Sequence, residues 1–238
     1  MSNLNSFTQQ DSVDLIDWLL KNPSDFRKLG VVLEGKPPEK QAAIKLISAF
    51  NQKYCEPWLV AFVLGCIGHR IGYETVKNIL LSHAGQSSER YAGAAMTKIL
   101  GIAAYSDLRQ VVFSDRPYKV REGAAYGLVQ TCSPQLFNDL LGACKQERLS
   151  RSTVVSFLVE SNPTDEWLLE LVEGEDRQNQ KLACVIIEKI LASSTASPPG
   201  DRIAQSVAQL LNDPSLSLLS KRKKNLLAWI NASNKTLA

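Results

Sequence analysis

The residues of this chain whose type and spacing most favour chemistry are cations that recur near the starts of predicted helices. Guanidinium and ammonium groups bind carboxylates and phosphates, so a stacked row of them would suit acidic proteins, carboxylate ligands or phosphate. Acidic residues lie among the cations, and a solvated, internally neutralised row is therefore the alternative interpretation. The cations are Arg116, Lys119, Arg121, Arg148, Arg151, Arg177 and Lys181, and the acidic neighbours are Glu122, Glu147, Glu175 and Asp176.

No residue set predicts catalysis or a metal site. The five cysteines are dispersed without a CxxC pair, and the two histidines, His69 and His83, do not have zinc-site spacing. Cysteines dispersed in apolar helical stretches are typical of small buried residues in a reducing compartment. The N-terminus has no signal pattern, and no apolar run reaches the roughly 18 residues of a membrane span. We therefore expect no catalytic residue, metal or cofactor, and a cytoplasmic location.

Helices must position these side chains, because helical periodicity runs through the whole chain and no alternating strand pattern occurs. Pro, Gly, Ser and Asn interrupt this periodicity about every 12 to 18 residues. The clearest helix spans residues 118–129, with Val120, Ala124 and Leu128 on one face. Its small residues, Gly123 among them, leave room for a neighbouring helix to approach closely. The sequence predicts an all-α fold.

Apolar anchors recur at a nearly constant spacing in the middle of the chain. Leu100, Leu128, Leu158 and Ile187 are separated by 28, 30 and 29 residues. Each interval holds a short helix and a longer one, so the repeating unit is a helix pair of about 30 residues. Such pairs predict an α-solenoid, in which each pair buries its apolar face against its neighbours. We expect a disordered tail at 1–10, one domain over 11–230 with a flexible insertion at 193–200, and a frayed tail at 231–238.

The segment from Asp115 to Leu128 has the pattern Asp-x4-Val-Arg-x2-Ala-Ala-x2-Leu. This pattern resembles the inner helix of a HEAT-type repeat, in the short variety called the phycobilisome-lyase HEAT-like repeat. The resemblance implies a right-handed α-solenoid of about six to seven antiparallel helix pairs. It also implies that Asp115 and Arg121 bond between neighbouring repeats as a structural ladder. Other units depart from the pattern: Asp176, for example, is followed by Lys181 and not by Arg at the equivalent place.

Solenoids usually bind partners on the concave surface of their inner helices, so positions four apart around each anchor form a candidate binding stripe. The stripe mixes polar and medium-sized side chains, which suits protein binding, and the solvated side of four helices is the alternative interpretation. The candidate partner-binding residues are Lys98, Glu122, Tyr126, Gln130, Ser152, Ser156, Lys181 and Lys189, and the stripe also includes Ala94, Ile102, Glu160 and Val185.

Three functions fit these observations. The first is a non-enzymatic scaffold or adaptor that holds another protein against the inner helices. The second is implied by the resemblance: phycobilisome-lyase HEAT-like proteins attach, remove or isomerise bilins on phycobiliproteins, often as a complex of two such chains. The partner would then be a phycobiliprotein or a related HEAT-like subunit. The third is a HEAT-like protein that binds or repairs DNA, but a net charge of +3, from 27 Lys+Arg and 24 Asp+Glu, argues against nucleic acid.

Overall fold

The computed structural model describes residues 11–82, 85, 87–193 and 198–236, with the backbone alone for 234–236. Regular structure in these ranges is helical, and no strand occurs within them. The all-α prediction is confirmed. The chain divides into two compact units, of which the first, unit 1, ends at Ser150 and the second, unit 2, begins at Arg151. The single domain expected over 11–230 stays a prediction.

Unit 1 is built from short helices of 8 to 13 residues. Turn residues that the sequence marks set their ends: the Asp11 side chain caps the first helix, and Gly68 ends the fourth in a left-handed conformation at φ 68°. The helices are α1 (Ser12–Lys21), α2 (Phe26–Glu34), α3 (Lys40–Asn51), α4 (Pro57–Ile67), α5 (Tyr73–Ser82), α6 (Ser88–Leu100), α7 (Tyr105–Val112), α8 (Tyr118–Val129) and α9 (Leu136–Lys145).

Alternate helices of unit 1 contact one another in sequence order. Helix α2 packs against α4, α4 against α6, and α6 against α8. On the other side, α1 contacts α3, α5 packs against α4 and α6, and α7 packs against α8. The apolar faces between these helices hold the core, in which Leu64, Met96 and Leu128 are almost completely buried. We call α2, α4, α6 and α8 the inner helices of unit 1.

Glycines bring α6 and α8 into backbone contact. A Cβ built at Gly93 would lie 2.0 Å from the carbonyl oxygen of Gly123, and one at Gly127 would lie 2.4 Å from that of Gly93. Only glycine permits such a separation, because any Cβ would overlap the facing backbone. The Thr97 hydroxyl adds a hydrogen bond to the Gly127 carbonyl at 2.8 Å. The close approach that the sequence predicts at Gly123 is confirmed, and we call this contact the glycine seam.

A polar contact joins α5 to α7. The Tyr73 hydroxyl and the Lys77 ammonium group both donate to the Asp107 carboxylate, at 2.9 and 2.7 Å. The bonds from Lys77 and Tyr73 hold the pKa of Asp107 below its usual value, against the opposing effect of burial. Burial and the bond to Asp107 together raise the pKa of Tyr73. The neutral phenol and the ionised carboxylate are therefore the forms that this contact favours.

The same contact recurs between α7 and α9, 32 residues further along the chain. The Tyr105 hydroxyl donates to the Asp139 carboxylate at 2.5 Å, and the Arg109 guanidinium group donates to it at 2.8 Å. Burial and the bond to Asp139 raise the pKa of Tyr105. A tyrosine with a cation four residues later, facing an aspartate on the next helix, is thus a repeated feature of the outer side of unit 1.

Asp115 and Arg121, the ladder residues implied by the resemblance, each contact Arg148. Arg148 donates from Nη1 to the Asp115 carboxylate at 2.6 Å. Arg121 donates from Nε to the Arg148 carbonyl at 2.8 Å and from Nη1 to the Arg116 carbonyl at 2.7 Å. The Asp115 side chain is 94% exposed, whereas Arg121 is half-buried. Arg121 therefore ties the start of α8 to the turn before Ser150 through backbone carbonyls.

Unit 2 contains α10 (Arg151–Glu160), α11 (Asp165–Glu173), α12 (Arg177–Ala192), α13 (Asp201–Leu211) and α14 (Ser220–Thr236). The Thr164 and Asp176 side chains accept backbone hydrogen bonds and so cap α11 and α12. Helix α12 contacts α10 and α14, and α13 contacts α11 and α14. The apolar side of α12, with Ile186 and Ile187 completely buried, forms much of the core of this unit.

Two details differ from the sequence expectations. Leu100, chosen as the buried anchor of α6, is only half-buried, whereas Met96 one turn earlier is completely buried. Helix α14 continues to Thr236, past the start of the tail expected at 231–238, because the sequence after Ile230 has no Pro or Gly to stop it. The expected tail at 1–10 and the insertion residues 194–197 lie outside the described residues.

Candidate functional site

Four aromatic side chains meet across the inner helices of unit 1. Phe26 of α2 lies 4.9 Å from Trp58 and 5.2 Å from Phe62, both on α4, between ring centroids. Phe62 lies 5.7 Å from Tyr91 of α6. These three pairs have the edge-to-face geometry that aromatic rings prefer. Each ring is also partly exposed, so the aromatic cluster, Phe26, Trp58, Phe62 and Tyr91, presents one surface over three helices.

The cluster has a sequence signal that periodicity of apolar residues alone does not reveal. Phe26, Trp58 and Tyr91 are separated by 32 and 33 residues, which is close to the spacing of the helix pairs. The tryptophans of the chain are assigned to core packing by their helical spacing with apolar residues. Trp58 does pack against its neighbours, but half-burial leaves part of its ring accessible. Aromatics at the repeat spacing were the missed indicator.

Cations border the aromatic cluster. The Lys98 ammonium group lies 6.0 Å from the Phe62 ring centroid and also forms an ion pair with Glu34. The hydrogen bond from Lys98 lowers the pKa of Glu34 despite partial burial. The Arg90 guanidinium carbon lies 5.8 Å from the centroid of Tyr126, on α8. Both distances are within the range of cation–π attraction. Lys98 and Tyr126, two predicted stripe residues, thus lie on the inner helices together with a second cation, Arg90.

Glu122 holds Arg90 in this position. Its carboxylate accepts from Arg90 at 2.8 Å and from Lys119 at 2.9 Å, and the residue is only 6% exposed. Burial raises the pKa of Glu122, but the bonds from Lys119 and Arg90 outweigh it, so that the pKa lies below its usual value. Predicted as a partner-binding residue, Glu122 has little surface for a partner. Its observed contacts make it a support for Arg90 and Tyr126.

The remaining stripe position of unit 1 in the predicted set is Gln130, which is half-buried at the end of α8. Ile102, another stripe position, is 61% exposed. The accessible part of the stripe in unit 1 therefore consists of Lys98, Tyr126, Gln130 and Ile102.

The other four predicted residues lie together in unit 2. They line an open groove of about 560 Å³ between α10, α12 and the segment that leads into α14. Its floor is apolar, and cations and serines stand along its sides. The lining residues are Arg151, Ser152, Val155, Ser156, Lys181, Val185, Lys189, Ser217, Leu218, Leu219 and Arg222. We call this feature the unit 2 groove.

The charges around the unit 2 groove are unevenly balanced. Arg222 donates to Glu188 at 2.6 Å, and Asn225 donates to the same carboxylate at 2.9 Å. Burial raises the pKa of Glu188, but these bonds outweigh it and lower the pKa below its usual value. Among the described residues, Arg151, Lys181 and Lys189 form no ion pair. Three positive charges on the groove are therefore uncompensated by a paired carboxylate.

The cationic row proposed from the sequence divides into paired and unpaired members. Most of its residues bind carboxylates or carbonyls of the chain itself, as the neutralised interpretation predicts. Arg151 and Lys181, which line the unit 2 groove, are not in ion pairs within the described structure. The engaged members are Lys119 with Glu122, Arg121 with two carbonyls, Arg148 with Asp115 and Arg177 with Asp213.

Other kinds of site find no support in the described ranges. They contain no group of three or more His, Cys, Asp or Glu side chains that could hold a metal ion. Burial raises the pKa of the Cys66 and Cys184 thiols, to about 12 and about 11, which disfavours reactive thiolates. His69 accepts a hydrogen bond from the Ile71 amide. No helix in the part of the chain that the structure describes combines the length and apolarity needed to cross a bilayer.

Comparison with known proteins adds no assignment. No protein-family model and no curated protein matches this sequence. The resemblance to HEAT-like repeats therefore stays a prediction, as do the bilin-handling and DNA-binding alternatives.

Proposed function

We propose that this chain is a non-enzymatic scaffold or adaptor that holds a partner protein against the inner helices of unit 1. The observation that carries the proposal is the aromatic cluster, which spans α2, α4 and α6 and keeps part of each ring exposed. Aromatic side chains and arginine dominate the energetics of protein interfaces, since they bury much area with few rotatable bonds. Arg90 and Lys98 border the cluster and supply polar contacts for a rim.

We further propose that the helix pairs belong to a right-handed α-solenoid of the HEAT-like kind, with about six to seven pairs. Two features support this architecture. Alternate helices contact each other in sequence order within each unit. Contacts also recur at repeat spacing, as when Thr97 bonds Gly127 and Lys77 bonds Asp107, each 30 residues apart. The aromatic cluster then lies on the inner-helix face, where such scaffolds bind their partners.

Site-specific photo-cross-linking in cells of the source tests the scaffold role. A benzoylphenylalanine at Tyr91 places the reactive group within the aromatic cluster. The matched control replaces Tyr54, which is 74% exposed and outside the cluster. We expect a discrete cross-linked protein from the Tyr91 position that the Tyr54 position does not give. The Trp58→Ala variant is expected to reduce retention of that protein on affinity purification. Identical products from both positions, or none from Tyr91, would contradict the proposal.

A further inference from the structure

The central helix of the unit 2 groove carries a charged, apolar, charged pattern along one face. Lys181, Val185 and Lys189 are spaced four residues apart, and all three line the groove. Eight residues of α-helix extend about 12 Å, so the two ammonium groups stand roughly two turns apart with an apolar side chain between them. Arg151 adds a third positive charge from the first turn of α10.

These cations are available to an external ligand. None of Arg151, Lys181 and Lys189 is in an ion pair among the described residues, whereas Arg222 nearby is satisfied by Glu188. No carboxylate lines the groove itself, and Glu160 lines only the adjoining cavity, which shares Lys189 with it. A ligand with two suitably spaced carboxylates would therefore meet positive charge without competition from the chain.

The groove also exposes apolar surface. Leu219 is 70% exposed at one side, and Val155 and Val185 form the floor. An exposed leucine beside a valine floor gains from being covered, since apolar area is removed from water. A strongly hydrated anion covers no such surface. The ligand that satisfies both features is amphipathic, with acidic side chains flanking an apolar one.

We propose that the unit 2 groove binds an acidic amphipathic helix of a partner protein. The helix presents two carboxylates about two turns apart to Lys181 and Lys189, and an apolar residue between them packs against Val185 and Leu219. Matching helical spacing on both sides gives this pairing its register. The inference extends the scaffold role to a second surface, which uses no residue of the aromatic cluster, so either surface can fail without the other.

Fluorescence anisotropy with a labelled peptide tests the proposal on the full chain. The probe is a helical peptide of about 14 residues, Ala-rich, with two Glu eight positions apart and Leu midway between them. A scrambled peptide of the same composition and a labelled DNA duplex are the comparison ligands. The test variant is Lys181→Gln with Lys189→Gln. Its matched control is Lys223→Gln with Lys224→Gln, which removes the same charge from exposed positions of α14 outside the groove.

We expect the peptide to bind and its affinity to fall about five- to tenfold in the Lys181/Lys189 variant, as two solvent-accessible ion pairs are lost. The Lys223/Lys224 variant should bind as the unaltered chain does, and added salt should weaken binding. The proposal is overturned if the peptide does not bind, if both double variants lose affinity equally, or if the scrambled peptide binds equally well. Tighter binding of the duplex than of the peptide also overturns it.

Discussion

The Thr97 hydroxyl of α6 donates a 2.8 Å hydrogen bond to the carbonyl oxygen of Gly127 on α8. This bond spans the glycine seam, where Gly93 faces Gly123 with no side chain between the two backbones. The two helices are consequently fixed in register by backbone atoms, and the residues that face each other are 30 apart in the sequence. Helices that pack through side chains have more freedom to adjust.

Substituting Gly93 by Ala should lower the free energy of unfolding by about 2 kcal/mol or more, because the new Cβ would overlap a backbone carbonyl that cannot move independently. Urea denaturation measures the change. Gly142→Ala in α9 is the matched control, since its Cβ would lie an ordinary 3.7 Å from Phe113. That change should raise stability by up to about 1 kcal/mol through helix propensity. Equal effects of the two substitutions would refute the role of the seam.

Arg121→Lys should lower the free energy of unfolding by roughly 1 kcal/mol, since an ammonium group cannot reproduce the two divergent bonds of the guanidinium group. Those bonds reach the carbonyls of Arg148 and Arg116. Asp115→Ala serves as the comparison and should cause almost no change, because its ion pair with Arg148 is highly exposed. Thermal unfolding of both variants ranks them. A larger loss for Asp115→Ala would show that the ion pair matters more than the carbonyl bonds.

Glu122→Gln should destabilise the chain near neutral pH by roughly 1 kcal/mol, a modest value because Arg90 and Lys119 are largely exposed and screened by solvent. The pKa of Glu122 is lowered in the folded chain from its ordinary 4.5. Its stabilisation is therefore present above that value and is lost as pH falls through the folded pKa. The difference in unfolding free energy between the two proteins should shrink with acidification. Glu160→Gln, at an exposed site, is the control.

Tyr73→Phe and Tyr105→Phe should flatten the alkaline part of the stability profile. The pKa of each phenol is raised in the folded chain above its ordinary 10.0, by burial and by its aspartate. The stabilisation is complete below the ordinary value and is lost as pH rises towards the folded pKa, because the unfolded chain loses its protons first. Denaturant titrations across this range should show a smaller slope in the double variant. An unchanged slope would remove the two tyrosines as its source, and Tyr54→Phe is the control.

The sequence predicts the helices well because their ends are marked by local chemistry, such as the cap at Thr164 and the left-handed Gly68. The close approach at Gly123 is also predictable, since a group of small residues on one helix face leaves space that a facing backbone can fill. The register between helices is harder to predict. Leu100 seemed equivalent to Leu128 by hydrophobicity, but the seam aligns Gly93 with Gly123 instead.

The candidate sites were only partly predictable for the same reason. Hydrophobic periodicity placed Lys181, Val185 and Lys189 on one face of α12, and they do share a groove. It also placed Glu122 on the binding stripe, where pairing with Arg90 makes burial of a carboxylate tolerable. Which cation satisfies a given carboxylate depends on side chains some 30 residues away, and that information is absent from a local pattern.

The glycine seam also affects how loss of partner retention must be interpreted. Tyr91 and Tyr126 stand on the two rods that this contact fastens together. A bulky residue introduced at Gly93 would spread the rods and displace both rings, although the position itself lies beneath the surface. A screen for variants that no longer capture the partner should therefore return seam glycines alongside the aromatics. The seam variants should be the ones whose melting temperature falls the most.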